Sequence, residues 1–202
     1  APADTAPVTE IAYQQQSRYT AHLTPWQPFD ASLPQRLQLQ AYGALDHLHF
    51  VPLQRRAPGA GEIEVAVKAA GLNFRDVLNA LGLLQEYYAT VLGVTQATAV
   101  GLGFECAGVV TAVGNGVTAF AVGDRVMGLT GFTGAFATHV TLPAAQMVAI
   151  PAALTDEEAA TLPLAFLTAW YGLVELAQLQ PGERVLIHAA SGGVGQAAVQ
   201  IA

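Results

Sequence analysis

Apolar and polar positions alternate most cleanly over residues 63–69, where Ile63, Val65, Val67 and Ala69 fall on one face and Glu64 and Lys68 on the other. That period of two predicts a half-buried strand. Residues 37–40 alternate in the same way and residues 47–51 less cleanly. Two shorter runs, 11–13 and 18–23, flank a polar turn from Gln14 to Ser17. Runs at 104–113, 122–126 and 135–142 are strand-like. Turns at 58–62 and 114–117 and a glycine loop at 131–134 separate the strands. Many short strands with glycine turns predict a small, partly open barrel. Residues 73–81 read as a short helix. Residues 82–102 read as a long irregular surface loop with Tyr87 and Tyr88 exposed in it, residues 1–8 as a linker, and residues 24–36, with three prolines, as loop.

The pattern changes near Pro151. Thr155 and Glu158 have the spacing of a capping box, and Leu154 and Ala159 that of a hydrophobic staple. Pro163 begins or kinks a second helix that runs through Leu176. Pro181-Gly182 turns into an apolar strand from Arg184 to His188. A glycine turn, Ala190-Ser191-Gly192-Gly193-Val194-Gly195, and a helix of small and aliphatic residues follow. Strand, glycine turn and helix in that order open a dinucleotide-binding unit. The expected organisation is a leading segment over 1–36, a barrel domain over 37–154, and over 155–202 the start of a Rossmann domain that Ala202 leaves incomplete.

Composition narrows the function. Of 202 residues 52% are hydrophobic and 11% charged, so a sizeable core is possible. Net charge is −7 with a single lysine, Lys68, which argues against a nucleic-acid partner. No uninterrupted apolar run has the length of a membrane span, and residues 1–7 lack a signal peptide's basic start, so the default expectation is cytoplasmic with no membrane partner. The single cysteine, Cys106, excludes an internal disulfide and a multi-cysteine zinc site, and its neighbours predict a buried thiol.

The glycine turn carries the clearest chemistry. Glycine lets the backbone approach a diphosphate, and the helix N-terminus supplies N–H donors. Ala190 stands where the pattern has its first glycine. A turn that binds nothing is the competing reading. Asn73 has two readings that stay open together: a neutral amide donor to a developing oxyanion, and the N-cap of the helix behind it. Asp76 reads as a helix-start carboxylate, Arg75 as a surface cation, and Asp124-Arg125 as a structural turn pair. The histidines show no metal spacing.

Gly71-Leu72-Asn73-Phe74-Arg75-Asp76 and Gly103-Phe104-Glu105-Cys106-Ala107-Gly108 resemble two segments of the medium-chain dehydrogenase/reductase superfamily. Its zinc members place a cysteine in the first and a histidine before the glutamate in the second. Those ligands are missing here, and the resemblance points to the zinc-independent reductases, with no metal. Together with Gly123-Asp124-Arg125-Val126-Met127-Gly128, Leu167-Thr168-Ala169-Trp170-Tyr171-Gly172-Leu173 and the glycine turn, these segments resemble the enoyl reductase domain of a modular polyketide synthase over about residues 37–202. Zeta-crystallin-like quinone oxidoreductases are the near neighbour.

The resemblance implies a GroES-like barrel and a Rossmann start, with the active site in the cleft between them. It implies NADPH as cofactor and reduction of an enoyl thioester by hydride transfer to the β-carbon. An acyl carrier protein would deliver the thioester, neighbouring synthase domains would be partners, and dimerisation would run through the parent synthase. Asn73 matches an asparagine near nicotinamide and thioester, Thr168 a threonine lining the cofactor cleft, and Ala190 and Ser191 to Gly195 the diphosphate loop. Phe74, Leu84, Tyr87, Tyr88 and Met127 are expected to face the substrate. The family's lysine and aspartate proton donors correspond to positions beyond Ala202. A tyrosine that many of these reductases carry is replaced by Leu83 or Leu84. That departure opens a ring-forming variant on a halogenated thioester. The same residues also leave room for a free quinone or enone reductase, or for a silent structural fragment.

Overall fold

Five antiparallel strands form the main sheet. The computed structural model describes residues 33–202 and the backbone of two earlier strands, β1 (Ile11–Gln14) and β2 (Ser17–Thr20). The chain divides into two units, Ala1–Asp30 and Ala31–Ala202. In the first, β1 and β2 pair antiparallel with Ile11 opposite Thr20, as the two runs flanking a polar turn imply. The expected linker over 1–8 and residues 24–32 of the loop expected over 24–36 lie outside the described residues. The end of that expected loop, Gln35 and Arg36, is in a strand.

In the second unit β3 (Gln35–Leu39) and β4 (Leu48–Pro52) make a hairpin. The main sheet has the order β8 (His139–Pro143), β5 (Glu62–Gly71), β6 (Glu105–Val113), β7 (Arg125–Leu129), β9 (Met147–Ala149). The run expected over 135–142 is a ladder strand only from His139. Before it, Ala137 forms a single bridge with Arg36, and Leu37 donates its N–H to Phe136 O at 2.7 Å, which joins the hairpin to the sheet.

The barrel core is Ile63, Val65, Cys106, Val110, Val126, Val140, Leu142 and Met147. The expected alternation holds on β5 through Val67. A bulge between Val67 and Ala69 then turns Ala70 to the barrel core and Ala69 to the opposite side, against Ala107 and Ile150. Glu64 is buried although it faces away from Ile63 and Val65. Arg55 binds it through two nitrogens at 2.9 and 2.6 Å, and the Thr111 hydroxyl donates to it at 2.6 Å. A carboxylate so partnered tolerates burial, and Arg55 holds it below the usual carboxylate range against the opposing effect of burial. Gly108 interrupts β6 because β5 bulges there: a Cβ at this position would lie 2.2 Å from Ala66 O.

Cys106 is fully buried, and burial pushes its thiol up to about 12. A thiol reagent at pH near 8 is therefore expected to leave the native protein unmodified and to label one site after denaturation. Fast labelling of the native state would contradict the packing of β6.

Residues 82–102 are not irregular throughout. They contain a helix, α2 (Gln85–Leu92), ended by Gly93 at φ +68°, and a 3-10 turn at Ala97–Ala99. The capping box forms as read: Thr155 Oγ1 accepts from Glu158 N, and Glu158 returns a bond to Thr155 N, at the head of α3 (Asp156–Ala159). Leu154 packs with Ala159. Arg125 does not pair with Asp124. It reaches Asp156 at 2.6 Å and Leu154 O at 2.9 Å, binding β7 to the head of α3. Pro163 begins α4 (Pro163–Trp170), which passes into a π-helical turn at Tyr171–Leu176. The stretch Asp156–Leu176 is long and apolar enough by composition to cross a membrane. Here it is broken at Ala160–Leu162, and Ala159, Ala160 and Ala169 lie in the core.

The strand expected over 184–188 is not formed, and Leu186 is 82% exposed. A strand of this kind is held by its neighbours' main chains, and among the described residues no strand lies beside it. The helix after it is present as α5 (Gly193–Ile201).

Candidate active site

Asn73 stands between the end of β5 and α1 (Phe74–Ala80), at the N-cap position. Asp76, one turn on, receives the Asn73 N–H at 3.0 Å. Its second oxygen receives the N–H of Gly103 at 2.8 Å, which ties α1 to the approach to β6. Asp76 is thus the helix-start carboxylate that its position suggested, but a buried one, and burial raises its pKa.

The Asn73 side chain points its nitrogen inward. Nδ2 donates to Gly71 O at 3.3 Å and to Glu105 Oε1 at 3.1 Å. Both amide hydrogens therefore have acceptors within the chain, and the donor role toward an oxyanion read from the sequence would require one of these bonds to be exchanged. The other oxygen of Glu105 accepts the N–H of Leu164 at 2.7 Å. Glu105 is buried, and that burial raises its pKa.

Arg75 is not a surface cation. Its guanidinium carbon lies 3.9 Å from the centre of the Phe104 ring, 4.6 Å from Phe132 and 5.3 Å from Tyr88. Its Nε donates to the Tyr88 hydroxyl at 2.9 Å. Tyr88 is wholly buried, so it anchors α2 onto this stack and does not line a substrate path. Tyr87 is exposed, as are Phe74 and Thr168, while Leu84 and Met127 are half-buried. Met127 lines an apolar cavity of about 510 Å³ between the β7–β9 edge and the helices, with Leu162, Phe166, Trp170 and Ile201. The structure thus connects Asn73, through Glu105, to α4, whose residue 168 sits one turn past Leu164 on the same helix face. It does not bring Tyr87 or Leu84 into that arrangement.

The glycine turn fits a dinucleotide. A Cβ on Gly195 would lie 2.3 Å from Ala189 O, so glycine is needed for α5 to pack on the chain before it. A Cβ on Gly193 would meet nothing within 4 Å, so that face of the turn is open. The N–H groups of Gly193, Val194 and Gly195 open the helix and have no acceptor within it. They and the helix dipole suit a diphosphate. Ala190, Ser191 and Gly192 are exposed beside them. Ala165 and Phe166 of α4 pack with Ala197 and Ala198 of α5, which sets the turn next to the helix that bears Thr168.

Among the described residues no three His, Cys, Asp or Glu side chains come together to hold a metal ion. Glu105 and the Arg75 stack were missed in the sequence. An acidic residue at the start of an apolar, glycine-interrupted run was the available signal for Glu105, and the stack had none.

Residues 59–152 match the alcohol dehydrogenase GroES-like domain. Polyketide synthase GfsB of Streptomyces halstedii is 48% identical over 169 residues, which is 83% of this chain and 3% of that protein. The crystal structure of CurK enoyl reductase superposes with a TM-score of 0.80 at 54% identity, covering 84% of this chain and 51% of that one. The CurF ER cyclopropanase from the curacin A biosynthetic pathway gives 0.73 at 46% identity, with 84% and 51% covered. The chain spans about half the length of these solved reductases and a small part of the synthase.

Proposed function

We propose, from its similarity to the alcohol dehydrogenase GroES-like domain and to the enoyl reductases of polyketide synthases, that this chain serves NADPH-dependent reduction of a carrier-bound enoyl thioester. The observation that carries the reading is the open glycine turn at the head of α5, packed against the helix that Glu105 joins to Asn73. On this reading residues 37–154 are the substrate-side domain and residues 155–202 the start of the nucleotide-binding one. The acyl carrier protein and neighbouring synthase domains are the partners.

When bound, the nicotinamide nucleotide supplies a hydride to the β-carbon of the unsaturated thioester. The chain's own residues bind and orient. The N–H groups of Gly193 to Gly195 would hold the diphosphate, and Thr168 would border the nucleotide from α4. The apolar cavity bounded by Met127, Phe166 and Trp170 would receive an acyl chain. Asn73 and Glu105 fix the edge of the barrel beside α4.

The similarity to the CurF cyclopropanase, together with the burial of Tyr88, favours one second reading. In it the enolate formed by hydride addition is not protonated. Its α-carbon attacks a carbon bearing a halogen, the carbon–carbon bond closes a ring, and halide leaves.

The test follows NADPH oxidation by the full polypeptide that carries this chain, with a short trans-2-enoyl pantetheine thioester, and mass analysis of the product. A product two hydrogens heavier is expected, with NADH used less well. NADPH oxidation with loss of halide from a halogenated substrate supports ring formation. Turnover of a quinone and not of the thioester overturns both.

A further inference from the structure

We propose that Glu105 is a positioning residue: a buried clasp that ties Asn73, at the end of β5, to the first turn of α4, and so holds the barrel in register with the nucleotide-binding helices. The proposal deepens the reductase reading above and rests on it for its kinetic consequence.

Four observations support it. Glu105 divides its two oxygens between different elements, Oε1 to the Asn73 amide at 3.1 Å and Oε2 to the Leu164 N–H at 2.7 Å. The head of α4 has no cap of its own. Leu162 occupies the N-cap position and offers no side-chain acceptor, Pro163 has no N–H, and the Leu164 N–H is the first donor that needs a partner. Glu105 therefore caps α4 from another strand. Gly71 faces Glu105 across the β5–β6 ladder, and a Cβ there would lie 2.4 Å from Oε1, so the opposing strand is shaped to admit the carboxylate. Finally, Glu105 is buried, where a carboxyl group persists only if it is well partnered.

The mechanical consequence follows from what each end holds. Asn73 and the barrel stand on the substrate side. α4 carries Thr168 and packs on α5, whose first turn bears the nucleotide cradle. Loosening the clasp leaves the cradle intact but lets the two sides shift, and hydride transfer is sensitive to shifts of an ångström. Glu105 therefore governs turnover far more than nucleotide affinity.

Glu105→Gln keeps the shape and one acceptor oxygen. With that oxygen on Leu164, its NH2 group confronts the NH2 of Asn73 and the Asn73 arm is broken. Gly71→Ala displaces the carboxylate without altering it. In the full polypeptide each is expected to lower kcat about a hundredfold, with the NADPH dissociation constant from fluorescence titration little changed. Asn73→Ala combined with Glu105→Gln is expected to be no slower than the worse single variant. Glu105→Ala is expected to speed hydrogen exchange of the Leu164 amide in the nucleotide-free protein and to leave the rest of α4 protected. An unchanged kcat in Glu105→Gln, or multiplied losses in the double variant, would overturn the proposal. If the wild-type protein reduces no enoyl thioester, the reductase reading fails. The clasp is then judged by Leu164 alone, and unchanged exchange in Glu105→Ala sinks it.

Discussion

Gly195→Ala is expected to abolish dinucleotide binding and to lower the melting temperature, whereas Gly193→Ala should weaken binding with the melting temperature kept. At Gly195 the added carbon would lie 2.3 Å from Ala189 O and 2.7 Å from Ala190 Cα. Both are main-chain atoms of the turn itself, so neither can swing aside. α5 has to move away from the segment it packs on, and Ala197 and Ala198 lose their fit against Ala165 and Phe166 of α4. Overpacking of this kind costs about 1–3 kcal/mol, occasionally more, and the displaced N-terminus takes its N–H donors with it. At Gly193 the same carbon meets nothing in the free protein and would intrude only where a ligand's phosphates approach. Thermal unfolding beside a fluorescence titration with NADPH separates the cases. Full binding by Gly195→Ala would show that this turn is not the cofactor site.

Asp76→Ala is expected to cost about 3–5 kcal/mol, since a hydrogen bond to a charged group contributes ~1.5–3 kcal/mol and two are lost. Asn73 N and Gly103 N would both be left without an acceptor, the second of them buried. That is a large share of a domain's ~5–15 kcal/mol. Chemical denaturation measures it, and a loss below about 1 kcal/mol would mean water replaces the carboxylate. Asp76→Asn keeps one acceptor and should lose less. Its pH dependence also has a definite sign. Burial raises the folded-state pKa of Asp76 above the ordinary 3.8. The folded state thus takes up the proton more readily than the unfolded chain. The proton-linked part of its stabilisation is full below pH 3.8 and is lost as pH rises through the raised value, on top of the hydrogen bonds that the carboxylate keeps. Asp76→Asn should flatten this part of the stability profile.

Much of the fold could be read from the chain because local rules governed it. The alternation of Ile63, Val65 and Val67, the Thr155–Glu158 box and the glycine turn each depend on residues close in sequence, and each is present. What could not be read depends on partners far away. The alternation placed Glu64 outward, but Arg55 and Thr111 bury it. Residues 82–102 looked irregular, yet Tyr88 finds Arg75 and Phe132 and the segment around it winds into a helix. Residues 184–188 have a strand's composition and, among the described residues, no strand to pair with. At the site, Asn73 was identifiable by type. The direction of its amide was not, since that is decided by Glu105 and Gly71 O.

Phe104 stands where the zinc-bearing members of the resembling superfamily keep a histidine. Here its ring is the floor on which the Arg75 guanidinium rests at 3.9 Å, with Phe132 edge-on to it. A histidine at position 104 would not by itself make a metal site, since among the described residues no three potential ligands come together; it would remove the support of a half-buried cation and loosen the hold on Tyr88 and α2. The identity of residue 104 is thus held by a cation and, through it, by a helix that belongs to another part of the chain.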